Sequence, residues 1–134
     1  MIKRISYCLL TAVFLSAACE KTTVEGPGGK SLTVTKPTNP TITRGDNEKV
    51  TIVVARTGFT GAVKATFKNL PDGVSVIDSD TNIEGNERTF TFSATDTAGL
   101  VENHAASVTV EGPDGMTATQ EFRVSVKEKP KNGD

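Results

Sequence analysis

The chain is predicted to be all-β, a single sandwich of about seven antiparallel strands preceded by an export signal and a flexible tether. Three observations carry that reading. From residue 31 onward, short runs that alternate apolar and polar residues recur with turn residues roughly every eight to twelve positions. No stretch keeps the 3.6-residue period of an amphipathic helix. Finally, residues 49–76, KVTIVVARTGFTGAVKATFKNLPDGVSV, join two of these runs through a glycine-bounded turn and close them with a Leu-Pro-Asp-Gly corner. They read as the inner pair of strands.

At 134 residues and 14.1 kDa, loss of an export signal leaves about 115, enough for one domain with tails. The expected divisions are a signal at 1–18, an acylated cysteine and flexible linker at 19–30, the sandwich at 31–127, and a disordered tail at 128–134. Lys3 and Arg4 leave with the signal, which takes the formal net charge from −1 to −3. A weakly acidic domain has no electrostatic attraction for phosphate backbones or anionic headgroups, so nucleic acid is excluded as a partner. Phe59, Phe67, Phe90, Phe92 and Phe122 are the aromatics beyond the signal, since the one Tyr is Tyr7 and there is no Trp.

The signal has three parts: the basic head Lys3-Arg4, an apolar stretch over residues 5–15, and the small residues Ser16-Ala17-Ala18. The apolar stretch is about eleven residues, short of the ~20 that a spanning helix needs. Leu15-Ser16-Ala17-Ala18-Cys19 resembles the lipobox of bacterial lipoproteins, although Ser16 stands where leucine is usual and Leu15 lies one place further out. The resemblance implies that Cys19 is diacylated and becomes the new N-terminus. Ordinary cleavage after Ala18 is the alternative, and it would leave a lone thiol in an oxidising compartment, because Cys8 departs with the signal. Lipidation is therefore the expected outcome, with the membrane as a partner through the anchor. Glu20 follows where an aspartate would be a strong inner-membrane retention signal, which leaves both envelope membranes open and slightly favours the outer.

Residues 20–30, EKTTVEGPGGK, are charged, rich in Gly and Pro, and without apolar period. They read as an unfolded tether spanning roughly 18–20 Å. Residues 31–36 then form a first strand, Pro37-Thr38-Asn39-Pro40 interrupts it, and residues 41–44 resume. The two prolines mark an edge. Val50, Ile52 and Val54 face one side of a central strand, and Val63, Ala65 and Phe67 alternate with Lys64, Thr66 and Lys68 in the next. Phe90, Phe92 and Ala94, then Ala106, Val108 and Val110, then Phe122, Val124 and Val126 all hold even positions. Gly112-Pro113-Asp114-Gly115 joins the last two runs as an antiparallel hairpin.

Gly58-Phe59-Thr60-Gly61-Ala62-Val63 followed by Leu70-Pro71-Asp72-Gly73-Val74 resembles the G-F-x-G-x-V…L-P-x-G-V pattern of bacterial secreted immunoglobulin-like or fibronectin type III-like modules, including those appended to alpha-galactosidases and peptidases. The resemblance covers roughly residues 31–127. It implies an immunoglobulin-like sandwich with a non-catalytic spacer, adhesion or protein-interaction role at the cell envelope. The chain departs from the pattern at Ala106, where relatives often carry an aromatic, and has no Cys…Trp…Cys set.

No chemistry competes strongly with that role. His104 is the single histidine and sits in the polar stretch Glu102-Asn103-His104, without the nucleophile and orienting group of a hydrolytic triad. Asp78, Asp80 and Asn82 have the alternate-oxygen spacing of a calcium loop, but Ile83 stands where glycine is needed and Thr89 where a bidentate acid is needed. A solvated loop is expected there, with no metal and no cofactor. The rival function is carbohydrate or cell-wall binding through an aromatic platform at Phe59. Against it, Phe59 has no second aromatic beside it in sequence and suits the role of a cap on the core.

Overall fold

A β-strand turns alternate residues to opposite faces, so the even-numbered apolar positions of successive runs share one dry side. In the computed structural model, which describes Arg4–Ile5 and residues 20–130, that side is the interior between two sheets. The strands in chain order are β1 (Arg4–Ile5), β2 (Lys21–Glu25), β3 (Ser31–Thr35), β4 (Thr41–Thr43), β5 (Asn47–Thr57), β6 (Val63–Lys68), β7 (Val74–Val76), β8 (Asn82–Ile83), β9 (Glu87–Ala94), β10 (Val101–Glu111) and β11 (Thr117–Lys127). One sheet runs β1-β2-β3-β5-β9-β7 and the other β4-β11-β10-β6-β8.

Four strands, β3-β5-β9-β7, lie against the β11-β10-β6 set, and among these strands the chain changes sheet between β5 and β6, back between β6 and β7, and again between β9 and β10. That is the strand arrangement of an immunoglobulin-like sandwich. The two long runs around the Gly58-to-Gly61 turn are both inner strands, one in each sheet, so that turn crosses between layers. Every pairing is antiparallel except β4 with β11, which run parallel through Ser125↔Thr41 and Lys127↔Thr43. The strand number exceeds seven because two-residue strands flank the main ones and because β2 lies in the predicted tether.

Phe90, Phe92, Phe122, Ile52 and Val108 are buried, as are the remaining even positions of their runs. Registers bring them together in pairs, with Val50 opposite Phe90 and Ala106 opposite Phe122. Phe67, only half-buried, presents its ring edge-on to three neighbours, with centroids 5.2 Å from Phe90, 5.1 Å from Phe92 and 6.5 Å from Phe122. Edge-to-face packing at these distances adds to the burial of area.

Residues 20–30 are not a free tether. Lys21–Glu25 pairs antiparallel with β3 over Lys21↔Thr35 to Glu25↔Ser31, and the Lys36 N–H donates to the Glu20 carbonyl at 2.6 Å. Val24 is buried, and Thr22 Oγ1 donates to Oε1 of the buried Gln120 on β11 at 2.8 Å, tying the two sheets. The physical reason is that Gly26-Pro27-Gly28-Gly29 is a hairpin turn, with Gly28 and Gly29 at φ 71° and 77°. Turn and linker share a composition, and the single apolar Val24 sufficed to dock the strand beside them. The edge expected at the first strand is correspondingly displaced. β4, after Pro37 and Pro40, is an edge as predicted, whereas β3 lies between β2 and β5. At the other end, β11 stops at Lys127 and residues 128–130 form no strand, while the rest of the predicted tail lies outside the described residues.

Candidate functional site

One end of the sandwich is built by two matching turns. Gly26-Pro27-Gly28-Gly29-Lys30 and Gly112-Pro113-Asp114-Gly115-Met116 each close with the first glycine's N–H donating to the carbonyl of the fifth residue, at 2.8 Å in both. Each places its third and fourth residues at positive φ, Asp114 included at 59°. Lys30 Nζ reaches Asp114 Oδ2 at 2.6 Å, and the buried Met116 lies so close to Gly26 that a Cβ there would meet its sulfur at 2.7 Å. The Gly58 turn joins them, since a Cβ on Gly58 would meet the Gly29 carbonyl oxygen at 3.1 Å.

Phe59 sits in this assembly half-buried and packed on the core, its ring tip 3.6 Å from where a Gly112 Cβ would be. Its edge therefore serves contact within the tip, and the ring has no flat partner among the described aromatics. Cys19 lies outside the described residues, as does the rest of the predicted signal apart from Arg4–Ile5.

The acidic loop is tied down by its own backbone. Asp78 Oδ2 accepts the Thr91 N–H at 3.0 Å, and Asp80 Oδ1 accepts the Asn82 N–H at 3.0 Å. Arg88 donates to the Asn82 carbonyl at 2.7 Å and lies 3.5 Å from Asp80 Oδ2. The backbone hydrogen bond from Asn82, aided by the charge of Arg88, holds the Asp80 carboxyl below the usual carboxylate value. Asp78, Asp80 and Asn82 are thus fastened to β8 and β9 rather than turned toward a common centre. Among the described residues, no group of three or more His, Cys, Asp or Glu could hold a metal ion.

His104 belongs to β10, beyond an irregularity in the β10–β11 register, and its Nε2 is 2.8 Å from the Asn69 carbonyl. It borders an open cleft of about 240 Å³ with Leu70, Pro71, Asp72 and the half-exposed Leu100. A second cleft, about 250 Å³, runs between residues 38–41 and 48–51. Among the described residues, no helix is long and apolar enough to cross a membrane.

Sequence reading missed two features of this region. The β2 hairpin was signalled by the likeness of Gly26-Pro27-Gly28-Gly29 to Gly112-Pro113-Asp114-Gly115. Gln120 was signalled by its even position, which aims a polar side chain into the dry side.

No family model matches the chain, and no curated protein matches it. Solved structures similar to it include the BIgI domain of beta protein from S. agalactiae bound to CEACAM1, at 18% identity and TM-score 0.42, with 75% of this chain and 99% of that chain covered. The S-layer protein SbsC domains 4 and 5 match at 14% identity and TM-score 0.43, over 86% of this chain and 81% of that one. A chain of a titin M10 and obscurin-like 1 immunoglobulin complex matches at 16% identity and TM-score 0.42, over 72% and 91%.

Proposed function

We propose that the chain is a lipid-anchored, extracytoplasmic immunoglobulin-like module with a non-catalytic structural or protein-interaction role at a bacterial cell envelope. The observation that carries it is the adjacency of anchor and fold. The cysteine that ends the signal is followed at once by Glu20, whose carbonyl is already bonded to Lys36. A secreted domain released by ordinary cleavage has no need of a cysteine at that boundary, and an acylated one is held by about 0.8 kcal/mol per buried methylene, so two or three chains hold durably.

Docking of β2 also changes how such an anchor works. With only Cys19 between lipid and sheet, the module rests against the bilayer instead of hovering on a tether of ~18–20 Å. A non-catalytic role is supported by the occupation of the polar groups, since His104, Asp78 and Asp80 each meet backbone partners.

Metabolic labelling with a clickable palmitate tests the reading, comparing the parent chain with Cys19→Ser. Label that follows the parent into the membrane fraction and vanishes in the variant is expected. An unmodified sulfhydryl at the amino end of the native product would overturn the anchoring.

A further inference from the structure

Exposed sheet edges are ready templates for another strand, and proteins blunt them by brevity, proline or cover. Three edges of this sandwich are blunted. β7 and β4 have three residues each, β8 has two, and Pro37 and Pro40 precede β4. The fourth is β2, with five residues and no proline, and it is covered by β1 through Arg4↔Val24 and Ile5↔Thr23. That cover lies within the predicted export signal.

We propose that removal of the signal converts β2 into a self-pairing edge, so that the mature chain associates with a second copy through an antiparallel β2–β2 junction centred on Thr23. The inference rests on the proposed export and cleavage. Its geometry comes from the backbone. The Glu20 carbonyl accepts from the Lys36 N–H and the Gly26 N–H donates to the Lys30 carbonyl, just beyond the two ends of β3, so by strand alternation Lys21, Thr23 and Glu25 turn their N–H and C=O groups to the outer edge. The sequence between them, Lys-Thr-Thr-Val-Glu, is complementary to its own reverse. Pairing about Thr23 sets Lys21 against Glu25 of the second copy twice over, and Thr22 against Val24.

Thr23 meets its own copy across a hydrogen-bonded backbone pair, while its hydroxyl stays with Thr33 Oγ1 at 2.8 Å within the sheet. The arrangement also suits two anchored copies. Lys21 pairs with Thr35, which pairs with Val53 midway along β5, so the chain leaves the sandwich from its flank. A twofold axis normal to both sheet and membrane puts the two Cys19 residues at one height.

The test uses the chain from residue 20 to 134, which keeps every described element except β1 and contains no Cys19, so its result is independent of lipidation. Sedimentation at concentrations up to on the order of 100 μM is expected to show a dimer. Thr23→Pro, which removes the outward N–H together with the hydroxyl contact to Thr33, is expected to abolish it while circular dichroism stays that of the parent; Thr23→Val, which loses the same hydroxyl contact and keeps the N–H, is expected to keep it. Lys21→Glu and Glu25→Lys should each weaken association roughly tenfold, and the double reversal should restore it. A monomeric parent, a dimer indifferent to Thr23→Pro, or a double reversal no tighter than the singles would overturn the proposal. Failure of palmitate labelling would instead count against the anchor.

Discussion

Thr22 Oγ1 donates to Gln120 Oε1 at 2.8 Å, a bond that spans 98 residues of sequence and joins β2 of one sheet to β11 of the other. Gln120 is 2% exposed, and its amide also donates to the Glu121 carbonyl at 3.0 Å. A buried amide of this kind is tolerated only while its partners stay in place. The contact therefore reports whether residues 21–25 are sheet or tether.

Thr22→Val removes that hydroxyl at nearly constant shape. A loss of about 1 kcal/mol is expected in urea unfolding, from a hydrogen bond broken at a buried acceptor. A mobile segment would leave the midpoint unchanged.

Phe67 provides a separate test of the core, because its exposure understates its contacts. Phe92→Ala should cost about 3–5 kcal/mol as a fully buried ring. Phe67→Ala should approach the same range, since its ring meets Phe90, Phe92 and Phe122 edge-on. If Phe67→Ala melts within a degree or two of the parent, the ring cluster does not hold the sheets together.

The Leu70-Pro71-Asp72-Gly73 corner demands glycine twice over. Gly73 has φ 82°, and a Cβ there would lie 2.7 Å from the Ala98 Cα, which is backbone and cannot swing aside. Gly61, at φ 117°, has open space around it. Gly73→Ala is expected to destabilise by more than Gly61→Ala, with strain at positive φ alone of order 1–3 kcal/mol. Thermal melts of the two variants give the ranking directly, and the reverse order would contradict the packing at Ala98.

Asp80 has a pH signature whose sign follows from its partners. The Asn82 N–H and Arg88 favour the charged form, so its folded value lies below the ordinary 3.8. Any stability it contributes is complete above the unfolded value and is lost as pH falls through the folded one. Carboxyl titration by NMR should find Asp80 below 3.8, and Arg88→Gln should raise it only in part, because the backbone donor is the larger cause. A titration at or above 3.8 in the parent would mean that the turn at Asn82 is not formed.

The sequence alone determined which positions are inside. Val50, Ile52, Phe90, Phe92, Val108 and Phe122 alternate with polar neighbours, and a strand has only two faces to offer them, so local parity and global burial coincide. Turn residues at Gly112 to Gly115 likewise determined the last hairpin. What only the tertiary structure decided is the standing of residues 20–30 and of Phe59. The five residues of β2, with one buried valine, carry too little pattern of their own to be told from a linker; they fold because β3 pairs with them through the Gly26 turn and because Gln120 and Met116 meet this hairpin from across a large gap in sequence. Phe59 is similar, since whether a ring in a turn faces solvent or core depends on the Gly112 turn beside it, which arrives only when the two sheets meet.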